Sequence, residues 1–315
     1  MGIGVSFLAR IRTGLQLTKG SFRVLRKNMW LLVFPLLYGL TWVLGLLFVL
    51  GGVIAALFGA GYGLAAMDSF VTLADDAGET AVQAIALGAM VVFLFLTTAA
   101  ATFFTGALVY SVGRIFEDKP TGVKDGLAGS WKAKRTILAW GVVGTIVGLL
   151  IRGLENRGGR GARLVQGLLG FAWAAMTFFI IPVIVFEREG LRASFSKSVS
   201  IFRNTWGEAA VLNLGVGLVV FPFILLVGGL GIGAPLFLLE SPETVLALTV
   251  VPTVLVIGVL LVIHQAAAGI AKTALYEYAI DGNLPDDFDG LDPEKLARQR
   301  QTSGMTPGAS QPGNI

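Results

Sequence analysis

The sequence predicts an all-α integral membrane protein with six transmembrane helices arranged as three hairpins, each preceded by an interfacial amphipathic segment. Three observations predict it. First, 55% of the 315 residues are hydrophobic and 14% are charged, against roughly 25% charged in an average soluble chain. Second, six stretches contain no Asp, Glu, Lys or Arg: 28–67, 80–113, 136–151, 164–186, 209–239 and 244–271. All but the third exceed the roughly 20 apolar residues that a helix needs to cross a bilayer. Third, a short phrase recurs at the mouths of these runs. The period-2 alternation of an outer-membrane barrel is absent, which leaves helices as the elements that satisfy their own backbone groups in lipid.

The first element is the lead-in, residues 1–29. Its end, RKNMW (26–30), is echoed by FRNTW (202–206). Gly14-Leu15 stands 16 residues before Trp30, and Gly190-Leu191 stands 16 before Trp206. Without a gap, Thr18 aligns with Ser194, Leu25 with Ile201, Lys27 with Arg203 and Asn28 with Asn204. A third copy starts at Gly126-Leu127, where Ser130 matches Thr18 and Ser194, and Trp140 follows Gly126 by 14. Each copy precedes a pair of apolar runs, so the chain reads as three repeated units, a pattern common in membrane folds.

In the first copy Leu8, Ile11, Leu15, Thr18, Phe22, Leu25 and Met29 recur at spacings of three and four. Arg10, Arg12, Gln16, Lys19, Arg23, Arg26 and Lys27 fill the remaining arc, which makes an amphipathic helix. The later full copy is less basic, with a stripe of Leu191, Phe195, Ser198 and Phe202. A basic arc suits anionic head groups of the cytoplasmic leaflet. Trp30, Trp140 and Trp206 stand where an aromatic belt belongs. The expected lipid interface is therefore Arg10, Arg12, Lys19, Arg23, Arg26, Lys27, Trp30 and Trp206, and membrane lipids are the expected partner.

The membrane domain is expected over 30–280, with spans at 30–58, 81–112, 136–152, 164–186, 208–238 and 244–272. A cleavable leader is not expected, because the first run starts after 28 residues and is longer than the 7–15 or so of a signal core. Lys and Arg cluster before run one, between runs two and three, between four and five, and after six. The segment 59–79 carries only Asp68, Asp75, Asp76 and Glu79, and 240–243 only Glu240 and Glu243. The positive-inside rule then places both termini in the cytoplasm of a multi-pass plasma-membrane protein. RGLENRGGRGAR (152–163) departs from the rule with four arginines on the outer side. It reads either as an exposed outer turn or as the tip of a shallow re-entrant pair.

Pro35, Pro182, Pro222, Pro235 and Pro252 lie in the runs and are expected to bend them. GGLGIG (228–233) is the expected place for a break. Gly144 and Gly148 form a GxxxG, and Thr97, Ala101 and Thr105 with Thr98 and Thr102 form a small face; such faces let helices pack closely. Residues 281–315 read as a cytoplasmic tail, largely disordered, ending in the uncharged SGMTPGASQPGNI.

Chemistry is sparse. With no cysteine there is no disulfide, thiol nucleophile or Cys-based metal site. His264, beside Gln265, is the one His, Asp, Glu, Lys or Arg within the runs; a lone His serves as a proton switch or, more often, as a structural hydrogen-bonder. No HExxH, GxSxG or phosphate loop occurs. DDFDGLD (286–292) fails as a calcium loop: Pro285 and Leu296 stand where ligands are required. No enzyme activity, cofactor, metal or nucleic-acid partner is expected. The expected role is a non-catalytic component that organises lipid or a protein partner, with a homo-oligomer as one form. The alternative is a small-solute transporter or channel, whose polar site Thr98, Thr102, Asn213 and His264 would build.

VFPLL (33–37), FIIPVIVFEREGLRASFSKS (179–198) and ALYEYAIDGNLPDDFD (274–289) resemble the hallmarks of a prokaryotic six-helix membrane-protein family, a domain of unknown function. The resemblance covers about residues 10–292. The last phrase is the most specific, with Ala274, Leu275, Tyr276, Tyr278, Ala279, Gly282, Pro285 and Phe288 in the expected pattern. The lead-ins more weakly resemble the membrane domain attached to some glycerophosphodiester phosphodiesterases. The resemblance implies fold and location and no activity.

Overall fold

A computed structural model describes residues 2–62, 65–155, 160–235, 242–282 and 284–288. Among them every regular element is helical. The order is α1 (Gly2–Lys27), a 3₁₀ turn (Met29–Leu32), α2 (Val33–Tyr62), α3 (Ala65–Phe116), α4 (Val123–Lys132) and α5 (Lys134–Glu155). Then come α6 (Arg160–Met176), α7 (Ile180–Glu187), α8 (Leu191–Gly228) with a π-helical extension (Gly229–Gly233), α9 (Pro242–Asp281) and a 3₁₀ turn (Asp286–Phe288).

α2 packs along α3, α5 along α6, and α8 along α9, the expected three pairs. Five described stretches are long and apolar enough to cross a membrane: Met29–Phe48, Leu87–Phe116, Lys134–Gly153, Leu164–Glu187 and Leu248–Asp281. The fifth predicted run contributes a shorter stretch, Val219–Gly233. Phe48, Leu150, Leu168, Leu226 and Leu255 on these helices are mostly exposed. So large an apolar surface is untenable against water. The chain is a helical membrane protein.

The expected kinks fall out differently at two places. Pro182 splits the fourth run into α6 and α7. It stands in the first turn of α7, where its missing N–H is no loss, whereas a continuous helix would drive its ring into the Phe178 carbonyl. The Ser198 hydroxyl donates to the Met176 carbonyl at the end of α6, at 2.8 Å. GGLGIG, by contrast, does not break the helix. The backbone widens into a π-helix and continues. Gly231 is needed for close approach: a Cβ there would overlap the hydroxyl of the buried Thr253 on α9. Of the GxxxG pair, only Gly144 is in contact, where a Cβ would lie 3.2 Å from Thr98 Cγ2; nothing lies within 4 Å of Gly148.

The lead-ins differ most from expectation. α1 packs against α8 and α9. Its buried face is Leu17, Thr18, Ser21, Val24 and Leu25, while Leu15 and Met29 of the predicted stripe are exposed. The apolar face of this helix thus meets protein, in a register turned from the predicted one. The small residues Gly20 and Ser21, both buried, let the neighbours come close on that side.

The repeat survives as a packing pattern. Thr18, Ser130 and Ser194, the aligned hydroxyls, are all buried. With Gly126 aligned to Gly14, Ile137 falls level with Leu25 and Ile201, and these are 2%, 5% and 6% exposed. In each copy a hydroxyl and, seven residues on, a branched aliphatic are buried, Leu25 and Ile201 in the main core and Ile137 in a second cluster. The Ser130 hydroxyl donates to the Phe103 carbonyl of α3 at 2.7 Å. That gives its burial a partner, without which it would cost energy.

The main core joins α1, the first 3₁₀ turn, the start of α2, the end of α3, α7, α8 and the end of α9 through Leu17, Leu31, Phe34, Leu108, Val183, Ile201, Ile270 and Leu275. A second cluster, Ala133, Ile137, Trp140, Ile180 and Ile184, continues it toward α5.

Candidate functional site

The three phrases that carry the family resemblance meet in this core. Phe34 comes from the first, Phe179 and Val183 from the second, and Ala274, Leu275, Tyr276 and Tyr278 from the third. Their polar members meet too. The Tyr276 hydroxyl donates to Glu187 Oε1 at 2.8 Å, and Lys197 Nζ lies 2.5 Å from the same oxygen. The phrases at 179–198 and 274–289 are therefore joined by a carboxylate that takes one neutral and one charged donor.

The chain after α9 closes the assembly. Phe288, 2% exposed, lies against Gly20 of α1 and meets Phe116 edge-on at a centroid distance of 6.0 Å. Lys27 Nζ pairs with Asp287 Oδ1 at 2.6 Å, and Arg23 Nη1 donates to the Asp287 carbonyl at 3.1 Å. Residues 284–288 are thus a strap packed on α1, where a loose tail was expected; 289–315 lie outside the described residues. Beside the strap is a recess of about 320 Å³ whose wall includes Asp118, Glu277, Asp281, Asp286 and Asp287. Among the described residues no set of three or more His, Cys, Asp or Glu has the arrangement of a metal site.

The predicted lipid-interface residues divide. Arg23 and Lys27 are turned to the strap. Lys19 and Arg26 are exposed and among the described residues make no ion pair. Trp30 packs on the main core and meets Phe34 edge-on at 6.1 Å. Trp140 is buried and stacks on Trp173 at 5.3 Å. Trp140 therefore packs inside the protein, while Trp30 is partly buried against the core. The side chains of Arg10, Arg12, Trp206 and Asn213 lie outside the described residues.

Of the predicted polar site, Thr98, Thr102 and His264 are among the described side chains and Asn213 is not. Thr98 donates to the Leu94 carbonyl at 2.7 Å and Thr102 to the Thr98 carbonyl at 2.9 Å, both within their own helix. Thr98 also takes part in the α3–α5 contact at Gly144. His264 is half-buried on α9. Its neighbour Gln265 borders a crevice too narrow for water, shared with Phe34, Tyr38 and Thr105. Glu187, Lys197 and Tyr276 carried no role when read singly; their signal was membership of the two phrases that the fold brings together.

No curated protein and no solved structure matches the chain, and nothing found supports the likeness to glycerophosphodiester phosphodiesterases. A family model matches residues 84–285, nearly two thirds of the chain including α4, α7 and α9. The chain belongs to the family of unknown function DUF6159.

Proposed function

We propose that this protein is a non-catalytic component of the plasma membrane that organises lipid or a protein partner, with six spans in three hairpins and both termini in the cytoplasm. One observation carries the reading: polar contacts and buried core are concentrated where the lead-ins and helix ends meet, while the spans present apolar surface outward. That is the build of a rigid base with lipid-solvated arms. The exposed cations of α1, Lys19 and Arg26, suit the anionic cytoplasmic leaflet. Extraction from native membranes in polymer discs, followed by lipid analysis and protein identification, tests it. The expected result is enrichment of anionic lipid, or of one protein, over the bulk membrane. Discs of bulk lipid composition with no partner would overturn it.

The alternative, a small-solute transporter or channel, requires a polar path at mid-depth. Thr98 and Thr102 spend their hydroxyls on helix carbonyls, which favours the organising role. Solute flux through reconstituted vesicles that Thr102→Val abolished would reverse that preference.

A further inference from the structure

We infer that the cytoplasmic half of α8 carries a binding groove for the head group of an anionic phospholipid. The groove is open, about 760 Å³, and lined by Arg192, Phe195, Ser196, Val199, Ser200 and Arg203. The inference rests on the lipid-organising reading and names a site for it.

The residues fall at i, i+4, i+7 and i+11 for Arg192, Ser196, Val199 and Arg203, which is one face of a helix. At 1.5 Å per residue that face is about 16 Å long. The opposite face is fixed in the protein: Ser194, Ser198 and Ile201 are buried. The groove therefore cannot turn away from its surroundings.

Among the described residues its charge is uncompensated. Of the four cations between α7 and the apolar part of α8, Lys197 is paired with Glu187 on the core side. Arg192 and Arg203 are exposed, and among the described residues neither meets a carboxylate or a carbonyl. Guanidinium groups bind phosphate through paired hydrogen bonds. Ser196 and Ser200, also exposed, add hydroxyl donors between them.

The groove is also apolar where a lipid would need it. Val199 lies between the arginines, and Phe195 stacks on Trp173 at 6.2 Å. Trp173 stacks in turn on Trp140. The aromatic wall is held by α5 and α6, two helices with large exposed apolar surfaces. A site that joins such a wall to two arginines with no carboxylate partner among the described residues fits a phosphate attached to acyl chains better than a free phosphate.

The test titrates the full chain in neutral detergent with phosphatidylglycerol or phosphatidylcholine and counts bound lipids by native mass spectrometry. The wild type should prefer phosphatidylglycerol. The double variant Arg192→Gln, Arg203→Gln should lose roughly thirtyfold of that affinity and keep its melting temperature. Ser196→Ala with Ser200→Ala, which leaves the charge unchanged, should lose severalfold. Millimolar inorganic phosphate should not displace the lipid. A wild type without preference would overturn the groove and the lipid reading together. A preference intact in the arginine variant would overturn the groove alone. Unchanged affinity in the serine variant would reduce the site to diffuse charge and overturn it, and displacement by phosphate would overturn the assignment to lipid.

Discussion

Gly20→Ala should loosen the strap although it improves the helix. In an exposed helix interior, alanine is more favourable than glycine by about 1 kcal/mol. At Gly20 the new Cβ would lie 2.7 Å from Phe288 Cε1, and closer still to Cδ1. That ring is packed against Phe116 in a residue that is 2% exposed, so it must shift from its seat. Withdrawing a buried aromatic costs about 1.5–3 kcal/mol, which exceeds the helix gain. The net loss is about 0.5–2 kcal/mol in strap docking. Phe288→Ala removes the same contact and should cost as much or more, capped by the whole free energy of docking. Lys27→Gln should cost under about 1 kcal/mol, because the Lys27 side chain is 62% exposed. Gly39→Ala, with nothing within 4 Å of its Cβ, is the control and should show no loosening. Amide exchange read by mass spectrometry on the 284–288 segment and on α1 resolves these orders, since each 1.4 kcal/mol changes opening about tenfold. Unchanged protection in Gly20→Ala, or a larger effect of Lys27→Gln than of Phe288→Ala, would refute the docked strap.

Gly231→Ala should separate α8 from α9 and lower the melting temperature, and Thr253→Ala should restore part of the loss by clearing the atoms it strikes; an unaltered melt of the single variant counts against the contact. Tyr276→Phe leaves Glu187 with Lys197 as its charged donor and should cost about 1 kcal/mol in thermal stability, whereas Glu187→Gln, which weakens both contacts, should cost more; equal melts would deny the link between the phrases. A cysteine at Gly159 should react with an impermeant maleimide on intact cells if 152–163 is an outer turn, and protection from both sides would favour the re-entrant form.

Much of the fold is legible because hydrophobic periodicity and charge-free length are local properties. The pairing of α2 with α3, α5 with α6 and α8 with α9 follows from short connections between apolar runs. The repeat was visible in Thr18, Ser130 and Ser194, but its meaning was not. An amphipathic helix presents the same pattern whether its apolar face meets lipid or protein. Gly20 and Ser21 count as weakly apolar, so the periodic stripe runs through Leu15 and Met29, whereas the buried face runs through Leu17 and Val24. Pro182 announced its kink, since proline acts on its own helix. The glycines of 228–233 did not tell a break from a close approach, because that depended on Thr253 in another helix. Phe288 sits in an acidic, turn-rich stretch whose composition suggests disorder. What holds it, contact with Gly20 and the pairing of Lys27 with Asp287, reaches across 260 or more positions of sequence. The tie of Glu187 to Lys197 and Tyr276 likewise needed the folded chain to appear.

The proposed function requires the base beneath the spans to lie on the cytoplasmic side, and cysteine accessibility tests this most directly in this cysteine-free chain. Cysteines at Lys119, Glu189 and Asp286 report the loops that the fold gathers at the base, and one at Asp75 reports the acidic segment expected outside. On intact cells an impermeant maleimide should label Asp75→Cys alone, and the other three should react only once the membrane is opened. Labelling of any of the three base positions from outside, or of all four alike, would contradict the account.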